Sequence, residues 1–203
     1  MNDPIISRNL NWVVHRTHDD PEIFRRRASI ETKRLWIGCS DNASATLETG
    51  AFEEDGCLVY RNLGNQVSPH DFGLMATIEY ALHIVKINEI VVCGHYRCAC
   101  LKSVIQNEPP SLSNCWSGPI RVIFDERRRQ FEEIVSEDAQ IQSLCELNVR
   151  MQIRNLQENV LIRPLLATGR IRLQGLIWSP RDGLLRDLGA GVSKPKKSSK
   201  KRD

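Results

Sequence analysis

The sequence lacks any apolar run near the roughly 18 to 20 residues that a helix needs to cross a bilayer. Its first residues include an acidic side chain, Asp3, and contain no long apolar stretch of the kind found in a secretory signal. No internal repeat is visible either, which argues against a solenoid or an array. We therefore expect no membrane partner and a cytoplasmic location.

Its length and composition fit one soluble globular domain. The chain has 203 residues, of which 41% are hydrophobic and 26% charged. Its seven cysteines are an odd number, spread over a chain that is too large to need disulfide staples. We expect reduced thiols, and metal binding rather than disulfide bridges.

The net charge of +3 comes from the C-terminal tail. Residues 194–203 carry a net charge of +5, which leaves −2 for the rest of the chain. We expect a single domain over residues 1–193 and a disordered basic tail over 194–203. The tail allows a nuclear-localisation or nucleic-acid role, but no aromatic residues alternate with its basic ones. A solvated tail is favoured, and nucleic acid is not an expected partner.

Short apolar runs alternate with helical segments, which is the pattern of an α/β fold. The runs at 35–37, 57–60 and 90–93 predict buried strands, and residues 72–86 have helical spacing after a helix start at Ser68 and Pro69. A helical crossover between strands favours parallel pairing. Farther along we expect helices at 98–106, 120–135 and 138–166 and strands at 171–178 and 184–188. The predicted fold class is therefore α/β, with a central, mainly parallel β-sheet flanked by helices.

The N-terminal segment predicts two short helices with one apolar stripe. Asp20 and Pro21 form a helix start, and the preceding segment carries Leu10, Val13 and Val14 at helical spacing. Because such a stripe needs a surface to cover it, we expect these helices to pack on a partner subunit.

Potential metal ligands follow two of the predicted strands. Cys39 ends the first, with Asp41 two residues later, and His95 and Cys98 follow the third. Two thiolates and an imidazole suit zinc and leave a fourth tetrahedral position for water or another group, for which Asp41 is a candidate. The competing interpretation is two buried structural cysteines and an incidental histidine. Cys93, inside the strand, is expected in the core.

The ordered landmarks of the sequence resemble the β-class carbonic anhydrases over most of the chain. They are Arg8-Asn9-Leu10-Asn11-Trp12, Pro21-Glu22-Ile23-Phe24, Trp36-Ile37-Gly38-Cys39-Ser40-Asp41, Tyr60-Arg61-Asn62, Asn65, Ile78-Glu79-Tyr80-Ala81, Cys93-Gly94-His95-Tyr96-Arg97-Cys98, Glu146-Leu147-Asn148-Val149, Asn155-Leu156 and Asp182-Gly183-Leu184-Leu185.

The resemblance implies that Cys39, His95 and Cys98 bind zinc and that the reaction is the reversible hydration of carbon dioxide to bicarbonate and a proton. It also implies a homodimer or a dimer of dimers, with the N-terminal helices crossing onto the partner. Zinc lowers the pKa of a bound water to about 7 and so makes hydroxide available near neutral pH. Asp41 would orient that hydroxide, and Tyr80 matches a tyrosine that lines the substrate pocket.

The chain departs from the family motif at Ala43, where arginine is usual. That arginine pairs with the aspartate and keeps it off the metal, so an ionised Asp41 without it has reason to become the fourth ligand. Ile30, Leu58 and Ala99 replace the family's glutamine, phenylalanine and glycine. Two functions are therefore weighed: a working carbonic anhydrase, with activity reduced by the incomplete pair, and a catalytically impaired zinc protein with a scaffold or regulatory role.

Overall fold

A computed structural model describes residues 4–41, 56–109 and 111–192. The strands are β1 (Thr32–Cys39), β2 (Gly56–Asn62), β3 (Glu89–His95), β4 (Arg172–Trp178) and β5 (Leu185–Asp187). The helices are α1 (Pro4–Asp19), α2 (Ile23–Ala28), α3 (Phe72–Tyr80), α4 (Ala99–Ile105), α5 (Leu112–Trp116), α6 (Gly118–Glu126), α7 (Arg128–Glu132), α8 (Glu137–Glu158) and α9 (Arg163–Thr168). A 3-10 turn spans Leu63–Asn65, and a π-helical turn, Ala81–Val85, extends α3.

The five strands form one sheet in the order β2-β1-β3-β4-β5. The first four are parallel, and β5 pairs with β4 in the antiparallel direction. Helices flank the sheet, with α3 and α8 contributing to the main apolar core. The predicted α/β fold with a mainly parallel central sheet is confirmed.

The two central strands are the most deeply buried part of the molecule. Every residue of β3 is buried, and so are the last five residues of β1. Parallel strands covered on both faces need apolar side chains on both faces, which explains the continuous apolar runs of this part of the sequence. Gly38 pairs with Cys93 in the register, so β1 and β3 end side by side at their carboxyl ends.

A buried carboxylate connects three strands at the opposite end of the sheet. Glu89, at the start of β3, is 5% exposed. Its two carboxylate oxygens lie 3.2 Å from Arg34 Nε on β1 and 2.9 Å from Arg172 Nε on β4. Because a buried charge is costly when unpaired, this triad favours the register that aligns the three strands.

Helix α8 crosses the sheet beside β3 and β4 and is the longest of the described helices. Ser136 caps it by accepting a hydrogen bond from the Ala139 amide, and Glu137 and Asp138 complement the positive end of the helix dipole. Its buried face is apolar except for Asn148 and Gln152. The helix therefore carries a polar row into the core.

Helix boundaries differ from the sequence prediction in several places, and three of these differences have a local explanation. Helix α3 begins at Phe72 rather than next to Ser68, because the Asp71 carboxylate accepts the Leu74 amide. The predicted helix over 120–135 is divided at Arg127, which has non-helical backbone angles. The predicted helix over 138–166 ends at Glu158, because Asn159 is extended and its side chain accepts the Leu161 amide.

Helix α1 lies on the surface and buries none of its residues within this chain. Ile6, Leu10 and Val14, four residues apart, are 57%, 57% and 63% exposed. None of the helices within the described ranges combines the length and apolar character needed to cross a membrane. The predicted basic tail, 194–203, and Ala43 lie outside the described residues.

We expect Gly94→Ala to destabilise the protein, because a methyl group at this position of β3 would lie 2.6 Å from Val149 Cγ2 on α8. Such overpacking costs about 1–3 kcal/mol. The measurement is the free energy of unfolding in denaturant. Gly118→Ala is the matched control, because nothing lies within 4 Å of its added methyl group. Equal stability of the two variants would contradict the tight packing of α8 against β3.

Candidate metal centre

Three side chains far apart in the chain converge beyond the carboxyl ends of β1 and β3. Cys39 ends β1, His95 ends β3, and Cys98 directly precedes α4. Their donor atoms all lie within 4.8 Å of one another, and the three residues are at most 2% exposed. The carboxyl edge of a parallel sheet is a common position for a ligand site.

The spacing and chemistry of these donors fit a tetrahedral metal ion. The two sulfur atoms are 3.8 Å apart. Two sulfurs each about 2.3 Å from a tetrahedral zinc ion would be about 3.8 Å apart. His95 Nε2 is buried and has no hydrogen-bond partner among the described residues, so a neutral imidazole could offer its lone pair to a metal. A buried polar atom without a partner is costly, which a bound ion would relieve.

The tautomer of His95 also suits metal binding. Its Nδ1 lies 3.0 Å from the backbone oxygen of Tyr96, to which the protonated nitrogen donates. In the neutral imidazole, a proton held there would leave the lone pair of Nε2 free to bind a metal beside the two sulfur atoms. Tyr96 is itself held by a 2.7 Å hydrogen bond from its hydroxyl to Glu146 of α8. Helix α8 therefore supports the imidazole through one intermediate residue.

The pKa of Cys39 is lowered, which distinguishes it from Cys57, Cys93, Cys100 and Cys145. The hydrogen bond from Cys98 and the neighbouring His95 lower the pKa of Cys39 to about 4. The Gly64 amide also donates a hydrogen bond to its sulfur, at 3.1 Å. By contrast, burial raises the pKa of the Cys57, Cys100 and Cys145 thiols to about 12. Burial also raises the pKa of Cys93. Cys39 is thus suited to act as a thiolate ligand.

Asp41 lies next to the three donors without belonging to their group. Its Oδ2 accepts a 2.7 Å hydrogen bond from the Ala99 amide, at the start of α4, and lies 3.7 Å from His95 Nε2. The group of donors within 4.8 Å of one another comprises Cys39, His95 and Cys98. The carboxylate is therefore held by backbone beside the site, and its role as a fourth ligand stays a prediction.

Arg61 contacts this edge of the sheet directly. Its Nη2 and Nε donate to the backbone oxygen of Cys39 at 2.8 and 3.2 Å. Arg97 lies between His95 and Cys98, is exposed and has a positive φ of 61°. Tyr80 ends α3 and is 51% exposed. Its place in a substrate pocket stays a prediction.

Sequence reasoning missed the residues that hold the donors in place. Gly64 contributes through its backbone amide, which no residue pattern reveals. Asn148 was visible only as a landmark of the resemblance. A usable signal was present, because Asn148, Gln152 and Asn155 recur every three to four residues on a face of α8 that is otherwise apolar. Buried amides at that spacing indicate a specific backbone partner.

The fold and these donors define an α/β protein with a buried cysteine–histidine–cysteine group capable of holding a metal ion. A carbonic anhydrase family model matches residues 34–185, three quarters of the chain. The chain belongs to the β-class carbonic anhydrase family.

Relatives and solved structures agree with this assignment. A carbonic anhydrase of Emericella nidulans is 29% identical over 188 residues, covering 92% of this chain and 82% of the relative. A β-carbonic anhydrase of Sordaria macrospora, described as tetrameric, matches with a TM-score of 0.85 and 27% identity, covering 93% of this chain and 97% of the other. A β-carbonic anhydrase of Aspergillus fumigatus matches with a TM-score of 0.82 and 25% identity, covering 94% and 91%.

The geometry predicts that one divalent ion binds to Cys39, His95 and Cys98 together. Metal-free protein titrated with Co²⁺ should develop thiolate charge-transfer absorption that saturates at one ion per chain. Cys98→Ser should remove about half of this absorption, because it removes one of the two sulfur donors. Cys115→Ser is the matched control, because Cys115 is an exposed cysteine outside the group. Unchanged absorption in Cys98→Ser would contradict the assignment.

Proposed function

We propose that this protein is a zinc-dependent carbonic anhydrase that catalyses the reversible hydration of carbon dioxide to bicarbonate and a proton. The observation that carries the proposal is the buried group of Cys39, His95 and Cys98, with its 3.8 Å sulfur spacing and an unpartnered imidazole nitrogen. Two thiolates and one neutral imidazole match the charge and the ligand preference of zinc. The family of the chain supports the same activity.

A zinc ion bound there would make a hydroxide nucleophile available near neutral pH, because zinc lowers the pKa of a bound water to about 7. Cys39, His95 and Cys98, which are all buried, would hold the ion. The Gly64 amide and the Tyr96 carbonyl fix the Cys39 sulfur and the His95 ring in position. Little reorganisation is then needed when the reaction occurs.

Asp41 would accept a hydrogen bond from the attacking nucleophile and so direct its lone pair at the carbon of the substrate. The Ala99 amide holds the carboxylate at the required edge of the site. Orientation of this kind is a proximity effect. It requires that the Asp41 carboxylate lie beside the reacting atoms and not bind the metal itself. We include Tyr80 as a pocket residue on the resemblance alone.

The alternative function is a catalytically impaired zinc protein with a scaffold or regulatory role. One distance favours it: Asp41 Oδ2 is already 3.7 Å from His95 Nε2, so a small shift would bring the carboxylate to a metal held there. Ala43 cannot form the ion pair that would hold the carboxylate away. An Asp41 that completed the coordination would leave no position for the nucleophile.

Hydration of carbon dioxide by the purified protein, followed by the rate of proton release, separates the two functions. If the enzyme is active, Cys39→Ser should lower the rate to background and Cys115→Ser should not change it. If instead the parent is inactive and Ala43→Arg restores the rate, the impaired form is correct, because the new guanidinium holds Asp41 off the metal. If the parent and Ala43→Arg both bind zinc but neither hydrates carbon dioxide, the proposed enzymatic activity is contradicted.

We also propose that the protein forms homodimers, alone or as a dimer of dimers, through α1. The apolar side chains of Ile6, Leu10 and Val14 are exposed, and none of the residues that the structure describes buries them. Burying such side chains stabilises an interface by about 25 cal/mol per Å².

The seven cysteines form no disulfide bridge and suit a reducing compartment, so we propose a cytoplasmic location. We also propose a single domain over 1–193 and a solvated tail over 194–203.

Leu10→Glu combined with Val14→Glu should dissociate the proposed dimer, because it would place two carboxylates in the apolar interface. The measurement is molar mass by light scattering during size-exclusion chromatography. The control combines Asn11→Glu and His15→Glu, which have the same four-residue spacing on exposed polar positions of α1. If the variant with Leu10→Glu and Val14→Glu has the same molar mass as the parent, the proposed interface is wrong.

A further inference from the structure

A row of amide side chains on α8 faces the segment that follows β2. Asn148 and Gln152 are each 1% exposed, and Asn155 is half-buried. The two buried amides are joined by a 2.8 Å hydrogen bond from Gln152 Nε2 to Asn148 Oδ1. Asn155 Nδ2 in turn donates to Gln152 Oε1 at 3.0 Å. The row is therefore one connected network with fixed orientations of its amides.

The network holds the segment 63–67 at two points. Asn148 Nδ2 donates to the Gly64 backbone oxygen at 2.8 Å. Three residues farther along, Gln152 Oε1 accepts the Val67 amide at 2.8 Å and Asn155 Nδ2 donates to the Val67 oxygen at 3.0 Å. The Gly64 contact and the Val67 contacts thus use similar chemistry at opposite ends of one short segment.

Among the contacts of the described residues, the Gly64 end of this segment is the one that continues to the metal centre. The Gly64 amide donates to Cys39 Sγ at 3.1 Å, while its carbonyl receives Asn148. Gly64 has a φ of +73°, and an added Cβ would lie 3.2 Å from Ile120 Cδ1. Glycine adopts this positive φ without strain, and in this conformation the amide is directed at the sulfur while the carbonyl faces α8.

We propose that Asn148 is a positioning residue that acts through Gly64 to keep an N–H donor on the Cys39 thiolate. This inference rests on the proposed metal centre. A hydrogen bond to a thiolate withdraws electron density from sulfur and fixes its lone pairs, so it changes both the affinity for a metal and the donor strength of the ligand. Asn148 would therefore adjust the metal centre without touching it.

Asn155 supplies an internal control for this proposal. It lies on the same helix and donates to a backbone oxygen of the same segment, but its partner is Val67 rather than Gly64. A purely structural role of the amide row would make the two asparagines equivalent. A positioning role predicts that they differ at the metal and resemble each other only in stability.

The test compares metal-free Asn148→Leu with Asn155→Leu in two measurements. Zinc affinity, measured by competition with a chromophoric chelator, should fall about 10- to 100-fold in Asn148→Leu, the range found when supporting contacts of metal ligands are removed. Asn155→Leu should leave the zinc affinity unchanged. In the Co²⁺ form, the sulfur-to-cobalt charge-transfer band of Asn148→Leu should shift to lower energy, because its thiolate has lost a hydrogen bond.

Each outcome bears on the inference separately from the proposed function. Parent-like affinity and band energy in a folded Asn148→Leu, or equal changes in both variants, would overturn the inference and leave the metal centre intact. A parent chain that binds neither Zn²⁺ nor Co²⁺ would overturn the proposed function and the inference together. If Asn148→Leu does not fold, Asn148→Ser replaces it in the same comparison, because the small side chain leaves room for a water molecule.

A measurement on the unsubstituted protein removes the dependence on variants. In the ¹¹³Cd-loaded form, the Gly64 amide proton should show scalar coupling to the metal through the N–H···S hydrogen bond. The Val67 amide, which donates to Gln152, should show none. Absence of coupling at Gly64 in a protein loaded with one cadmium ion would overturn the inference.

Discussion

The register between β1 and β3 is the constraint on which the whole site depends. Because these parallel neighbours are aligned from Arg34 with Glu89 to Gly38 with Cys93, both strands reach the same edge of the sheet together. A slip of one residue would move the Cys39 side chain to the opposite face of the sheet. The buried Glu89, paired with Arg34 and Arg172 at the other edge, favours the required alignment.

Helix α8 holds the ends of β1 and β3 in place from one face of the sheet. Val149 packs so closely on Gly94 that no side chain fits there. Within three residues of it, Glu146 reaches Tyr96, whose carbonyl orients His95, and Asn148 reaches Gly64, whose amide contacts Cys39. Both donor segments are thus held against one rigid helix, which keeps the three ligand atoms close without placing any atom of α8 among them.

The electrostatics of the site depend on where Asp41 is held. Helix α4 begins at Ala99, and its first amide binds the carboxylate at a position where the helix dipole favours a negative charge. In the proposed metal centre, this contact would compete with the attraction of the divalent ion for the same group. Arg61, directed at the Cys39 carbonyl, adds positive charge to the edge of the sheet but is committed to a backbone oxygen. The outcome of that competition decides between an open and a closed metal centre.

The sequence predicted the fold class, the strands and the three donor residues because each depends on local patterns. Continuous apolar runs indicate buried parallel strands, and soft donors directly after two such runs indicate a metal site. Helix ends were predicted less well. The start of α3 depends on Asp71, whose carboxylate also binds Tyr60 and Asn62 of another element, and no local pattern encodes such contacts.

The sequence alone therefore determined which residues form the strands and which could bind a metal, since hydrophobic periodicity and ligand chemistry are properties of neighbours along the chain. Only the tertiary structure decided that the Gly64 amide would meet the Cys39 sulfur, that α8 would support both donor segments, and that Asp41 would lie beside the group. Those features are hydrogen bonds between residues far apart in sequence, and their distances depend on how the helices pack on the sheet.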